Sequence, residues 1–408
     1  MFIIRQARME DADTLLKLAR MVHFINLPPD KDIIAQKIQH SRRCFQRIAH
    51  GDDHLSSSSS NGAAGGLATS LLHSDLFMFV IEDAETGAPI GSSQLVASMG
   101  GPHRPNVRFK LDRREFFSRD LQTGTSHIVA TLDLDDSSPT EIGGLILQPS
   151  FRGHKLKLGR FLALIRFHFI GLHRGLFSDR VLAEMMAPIT ADGHNTLWDY
   201  LGRRFIPLSY DEADRFCQTS YEFMVSMLPK TELYLSLLPP GARAVVGQVS
   251  PDTVPARRML EKLGFEYRGF VDPFDGGPHL DCPTDDIEIV RETHTAPLGE
   301  PVATSKCKHR GFLSRLTPQG EFRAINDQFM IDDGAIRLPK SVAASFGGEP
   351  GDRIGVTIMD GPEVPRSRRP AGSAEKPVTP KRSPSKKAAI KKATTRRTSK
   401  KAARRSKS

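Results

Sequence analysis

The chain opens on a short apolar run at residues 2–5, after which Ala12, Leu15, Leu16, Ala19 and Val22 recur at helical spacing behind Asp11, a residue placed to cap. This switch of period predicts a strand and then a helix over 11–22. A second helix is predicted over 32–47, where Ile33, Ile34, Ile38 and Phe45 fall on or near one face. Apolar runs at 76–82 and 90–97 flank Glu85-Thr86-Gly87 and predict a hairpin. Residues 141–149 then read as a buried strand, 152–160 as a Gly- and Lys-rich turn, and 161–172 as an apolar helix. Two later segments, 198–205 and 256–265, each end a short helix in Gly and then an aromatic residue, which leaves open a duplicated domain with halves meeting near residue 120. Short alternating pieces at 322–325, 335–338 and 353–359 predict a small β module over 301–360.

The expected class is α+β: a mixed sheet flanked by helices over 1–300, followed by the β module. Two stretches fall outside it. Residues 51–73 hold Ser56 to Ser60 and four glycines, and read as a flexible surface insertion. Residues 361–408 hold 17 Lys or Arg against Glu363 and Glu375, a net of +15, so the first 360 residues carry −5 of the chain's +10. Such a tail is expected to be disordered alone and to attract polyphosphate backbones without sequence preference. A solvated extension or a contact with acidic partners stands beside that reading.

No run approaches the roughly 20 apolar residues of a membrane span, and the N-terminus leads straight into a charged helical pattern. Cys44, Cys217, Cys282 and Cys307 lack the spacing of a disulfide framework. The expectation is a cytoplasmic protein. Cys282 and Cys307 stand near His279 and His309 in a spacing that matches no standard zinc site, so no metal is expected.

The turn at 152–160 carries the clearest chemistry. A helix N-terminus behind glycine-rich backbone offers unpaired N–H groups and a favourable dipole to a pyrophosphate. Gly153 and Gly159 would permit close approach, while Arg152, Lys155, Lys157 and Arg160 would add positive charge. A basic loop before a helix is also an ordinary solvated surface, and the turn alone does not decide between the two.

The order strand, helix, helix, hairpin is how acyl-CoA-dependent N-acetyltransferases begin. Over residues 1–300 the chain further resembles the arginine N-succinyltransferase family in Val80 to Gly87, Leu182-Ala183-Glu184-Met185, Leu197-Trp198, Leu201-Gly202, Leu228-Pro229-Lys230 and Leu260-Glu261-Lys262. The densest match is Val271-Asp272-Pro273-Phe274-Asp275-Gly276-Gly277-Pro278 with Cys282. The resemblance implies an N-acetyltransferase-like sheet and transfer of a succinyl group from succinyl-CoA to the α-amino group of arginine. It also implies that Leu145 contacts the acyl-CoA.

One position departs. The family carries a catalytic His in Gly-Gln-Val-His-Pro, and this chain reads Gly247-Gln248-Val249-Ser250-Pro251. Ser250 does not titrate near neutrality and cannot serve as the acid or base. His279, next to the matched Gly-Gly-Pro, is the candidate substitute, with His194 behind it. Glu184, Asp272 and Asp275 are candidates to hold the guanidinium, and Asp272 and Asp275 equally suit caps of the turn around Gly276-Gly277. Loss of the family His also admits a catalytically silent acyltransferase-like protein that binds acyl-CoA or, through its tail, nucleic acid. A homo-oligomer stays open.

Overall fold

Along β1 (Phe2–Gln6) Ile3 and Ile4 enter different apolar clusters, as successive strand side chains must. The computed structural model describes residues 1–21, 27–51, 74–102, 104–190, 194–217 and 220–359. The insertion expected at 51–73, apart from Gly51, and the basic tail lie outside them.

Helices α1 (Ala12–Ala19) and α2 (Lys31–Ala49) follow, the second capped by Asp30, whose side chain accepts from the amides of Asp32 and Ile33. The chain then forms β2 (Leu76–Asp83) and β3 (Pro89–Val96), the hairpin read from the sequence. β1 ends opposite Phe79, and beyond that point the Ser41 hydroxyl of α2 accepts from the Met78 amide at 2.8 Å. The helix thereby caps an edge that the first strand leaves bare.

A long hairpin, β4 (Asn106–Ser118) and β5 (Thr123–Asp135), precedes β6 (Thr140–Leu147), α3 (Leu158–Leu172) and β7 (Arg180–Glu184). A π turn at Trp198–Gly202 leads to α4 (Arg203–Phe205), α5 (Tyr210–Cys217), α6 (Glu222–Met227), β8 (Leu233–Tyr234) and α7 (Pro240–Val245). Next come α8 (Val254–Leu263), ended by Gly264 at φ +100°, then β9 (Glu266–Val271) and β10 (Pro278–Pro283). The remainder is α9 (Glu288–Glu292), β11 (His294–Pro297), β12 (His309–Leu316), β13 (Phe322–Asp332), β14 (Ala335–Arg337), α10 (Lys340–Phe346) and β15 (Arg353–Ile358).

The strands join one mixed sheet in the order β11-β15-β12-β13-β1-β2-β3-β6-β7-β10-β9-β4-β5-β8, with β14 beside β13. This is the α+β arrangement of a mixed sheet with flanking helices. Among the described strands β6 and β7 are the one parallel pair, because α3 carries the chain back between them. α3 lies on a face packed with Phe45, Phe77, Phe79, Phe161, Phe169 and Phe322, and α1 covers the other with Met78, Val80 and Ile146. Trp198 stacks on Phe274 at 4.7 Å in a further cluster built from α5, α6 and the strands beside them. No helix among the described residues is long and apolar enough to cross a membrane.

His168 ties α3 to the C-terminal strands: its ring nitrogens lie 2.5 Å from Thr357 Oγ1 and 2.7 Å from Ser314 Oγ. Burial pushes it down to about 3, whereas an unfolded chain takes up the proton near pH 6.5. The folded pKa being depressed, the contribution is complete above that unfolded value and is lost as pH falls toward 3. The loss runs at about 1.4 kcal/mol per pH unit. His168→Gln is therefore expected to be less stable than the parent at pH 7, yet to lose about 2 kcal/mol less on going to pH 5. Equal losses in denaturant melts at the two pH values would disprove this.

Candidate active site

Two parts of the sheet come together at the β6–β7 junction. The ladder there consists of Thr140 with Val181 and Glu141 with Leu182, and goes no further. On its other side β6 carries a bulge: Gly144 and Leu145 stand opposite the single Ser93 of β3, with Gly144 at φ +56°. The main-chain groups of Gly144 and Leu145 are thus left out of the β3 ladder, beside a gap that opens between two parallel strands. Leu145 is half-buried, its side chain packed on the α3 face.

The same gap leads to the N-terminus of α3. Pro149–Phe151 forms a single 3-10 turn, Gly153 takes φ +72°, and Lys157 enters the helix from the left-handed region at φ +51°. That backbone costs a side chain about 1–2 kcal/mol. It leaves the amides of Leu158, Gly159 and Arg160 to open the helix, without acceptors inside it. Lys155, Lys157 and Arg160 border a cavity of about 260 Å³ with Arg310, Phe312, Asn326 and Met359. Arg152 sits nearby, 3.4 Å from Asp252.

The second part lies where β7 meets β10. Pairing of His279 with Glu184 puts both side chains on the sheet face away from α3, since Ala183 and Leu280 enter the α3 core. His279 Nε2 stands 3.7 Å from Glu184 Oε1, and that oxygen accepts from Asn106 Nδ2 at 2.9 Å. Neither ring nitrogen of His279 has a hydrogen-bond partner, although the residue is 4% exposed. Glu184, Asp272 and His279 each bring a ligand atom within 4.8 Å of the others. The three surround a space suited to a cation.

The loop before β10 supplies the rest. Asp275 is used up by backbone, accepting from Ala187 N at 2.9 Å and Gly277 N at 2.6 Å. Asp272 Oδ1 accepts from the amides of Phe274 and Asp275, which leaves its second oxygen to the cluster. Gly277 is required here, because a Cβ would come within 1.8 Å of the Met185 carbonyl oxygen. Ser250 reaches the same place through its amide, which donates to the Met186 carbonyl at 2.9 Å, and its side chain is buried.

The electrostatics follow from burial. It raises Glu184, opposed by the Asn106 hydrogen bond. It raises Asp272 well above the usual carboxylate range, and the charges of Asp275 and Glu184 push the same way. It brings Asp275 up to about 6 against two backbone amides. His279 is pushed down to about 3 by burial and then by Arg108. The hole is therefore rich in carboxylates and short of positive charge, and its histidine is neutral.

The structure thus groups Glu184, Asp272, Asp275, His279 and Ser250, and separately Arg152, Gly153, Gly159 and Arg160, with Leu145 on β6, which borders the gap between the groups. His194 is exposed, 3.7 Å from Asp199. Asn106, which orients Glu184, carried no signal in the sequence, because it arrives on the hairpin strand β4.

A protein-family model described as "Arginine N-succinyltransferase beta subunit" matches residues 2–289. An arginine N-succinyltransferase of Yersinia pestis is 33% identical over 296 residues, 71% of this chain and 84% of that protein. One from Yersinia enterocolitica is 29% identical over 367 residues, 89% of this chain and 99% of its own. Among solved structures, arginine/ornithine succinyltransferase subunit AI from Pseudomonas aeruginosa shares the fold at a TM-score of 0.68. The match is 23% identical and covers 88% of this chain and 98% of that one.

Proposed function

Because the chain belongs to the arginine N-succinyltransferase family, we propose that it transfers the succinyl group of succinyl-CoA to the α-amino group of arginine. The observation that carries this reading is the carboxylate-rich hole at Glu184, Asp272 and His279, next to the β6–β7 gap. Planar carboxylates suit a guanidinium or an ammonium, and the deficit of positive charge is made good when arginine enters. The amides and basic side chains at the start of α3 suit the pyrophosphate of the donor. Main-chain groups at Leu145 hold the acyl end in the gap.

With Ser250 at the family's His position, His279 is the neutral nitrogen base of this hole, and in this reading it takes the amine's proton while the buried carboxylates face the substrate's cation. Its Nε2 faces Glu184, so the N–H belongs there and Nδ1 keeps its lone pair for the acceptor. The amine nitrogen attacks the thioester carbonyl carbon, the C–N bond forms, and the C–S bond breaks as CoA leaves as a thiolate. Nδ1 takes the proton that the nitrogen gives up, and the imidazolium returns it to the thiolate or to solvent. Holding amine and thioester together supplies the larger part of the rate.

The test is thiol release by the full chain from succinyl-CoA and acetyl-CoA with arginine, ornithine and lysine. Arginine-dependent release from succinyl-CoA is expected. Silence with every pair would sink the proposal and leave the catalytically silent binding protein as the better account.

A further inference from the structure

Behind the β6 bulge, on the face that also carries Glu184 and His279, lies a polar cluster that the reaction above does not use. Gln94 of β3 is 2% exposed and lies across Gly144; a Cβ on that glycine would meet Gln94 Nε2 at 2.7 Å. This Nε2 is a buried donor with no hydrogen-bond partner. Gln94 Oε1 lies 3.5 Å from Nζ of Lys37, an α2 residue that is 7% exposed. Arg166, buried on α3, donates to the Gly143 carbonyl at 3.2 Å from the opposite side of the sheet.

The buried amide donor of Gln94 is costly without an acceptor. Burial brings Lys37 down to about 8, and the charges of Glu141 and Asp214 hold it up. Asp214 is itself raised to about 6 by burial and the charge of Asp211, so it can take a proton when another anion arrives. The donor side is the more telling, since Gln94 Nε2 adjoins Gly144, whose neighbour Leu145 is the acyl contact implied by the family. A succinyl group ends in a carboxylate two methylenes beyond its thioester carbonyl.

We propose that Lys37 and Gln94 form a receptor for a substrate carboxylate at the β6 bulge, with the far end of the succinyl group as its occupant. This rests on the acyl-transfer reading above. Two hydrogen-bond donors, one of them charged, then select a carboxylate-ended acyl group over an apolar one of the same length. The acceptor's α-carboxylate has the same chemistry, and the assay separates the two.

The experiment measures thiol release by the full-length protein, Lys37→Met and Gln94→Leu. Donors are succinyl-CoA and butyryl-CoA, and acceptors are arginine and agmatine, which lacks the carboxylate. The parent should favour succinyl-CoA. Lys37→Met should cut kcat/KM for succinyl-CoA by roughly 10²-fold while leaving butyryl-CoA nearly unchanged. Gln94→Leu, which leaves the lysine charge in place, should move the same ratio in the same direction by a smaller factor. Collapse of the preference for arginine over agmatine, with donor preference intact, would keep the receptor but overturn its assignment to the donor. Equal slowing of all pairs, or no change in either ratio, overturns the receptor while the transferase reading stands. Silence of the parent with every pair removes both.

Discussion

Replacing His279 with alanine is expected to lower kcat for arginine succinylation by about 10²- to 10⁴-fold, the usual worth of a positioned acid-base group. The KM for succinyl-CoA should stay close to that of the parent, because the donor's phosphates are held at the start of α3. Added imidazole, small enough for the space vacated by the side chain, should restore part of the rate. His279→Gln should be as slow as the alanine variant, since it fills the volume and has no nitrogen lone pair to receive a proton. An unchanged kcat in a variant that melts normally would show that proximity alone drives the reaction here. Ser250 would then be a tolerated loss needing no substitute.

The second large effect concerns Asp272. Its Oδ1 holds the amides of Phe274 and Asp275, a duty an asparagine carbonyl can keep, so Asp272→Asn removes charge with little change of shape. The kcat/KM for arginine is expected to fall by roughly 10²-fold, as when one member of a buried charge pair is lost. Binding of succinyl-CoA, followed by titration in the absence of acceptor, should be unaffected. The pH dependence has a definite sign. Burial raises Asp275 to about 6 and Glu184 and Asp272 in the same direction, so the hole is fully anionic only at pH values above those raised levels. Arginine affinity should weaken as pH falls through the raised range of Glu184 and Asp272, with His279 neutral and Arg108, Arg180, Asp135 and Asp281 as the other charges bearing on it. Arginine affinity that is flat from pH 8 to 5 would rule out carboxylates as its ligands.

Parts of this were legible from residues alone. The periodicity around Ala12 and Leu15, the hairpin around Glu85-Thr86-Gly87 and the strand, basic turn and helix from Glu141 onward all have local causes, and they became α1, β2–β3 and β6–α3. The hairpin β4–β5 went unread, because Lys110 to Asp120 puts charged and aromatic residues on both faces and erases the period of two. The site divides along the same line. Glu184, Asp272, Asp275 and His279 sit in motifs and could be named. Lys37 could not: a lysine in an amphipathic helix reads as solvated, and its burial arises only in the folded chain, where its ammonium reaches Gln94 of β3. Gln94 is one of several polar residues in a strand, and its unpaired amide is created by a bulge in another strand.

β1 is flanked by β2 on one side and β13 on the other, with Ile4 opposite Ala324. During synthesis the early strand can pair with β2 almost at once, but its outer backbone groups must wait for a segment made hundreds of residues later. On the ribosome the nascent protein therefore carries a bare hydrogen-bonding edge from the time β2 is made until β13 follows, exposed to strand exchange with neighbouring chains. Truncations that stop short of Ala324 would keep the reacting groups yet never close that edge. Loss of activity in such fragments would report that open edge, and the loss of Asn326 and Met359 from the cavity at the start of α3, as much as any change at the carboxylate hole.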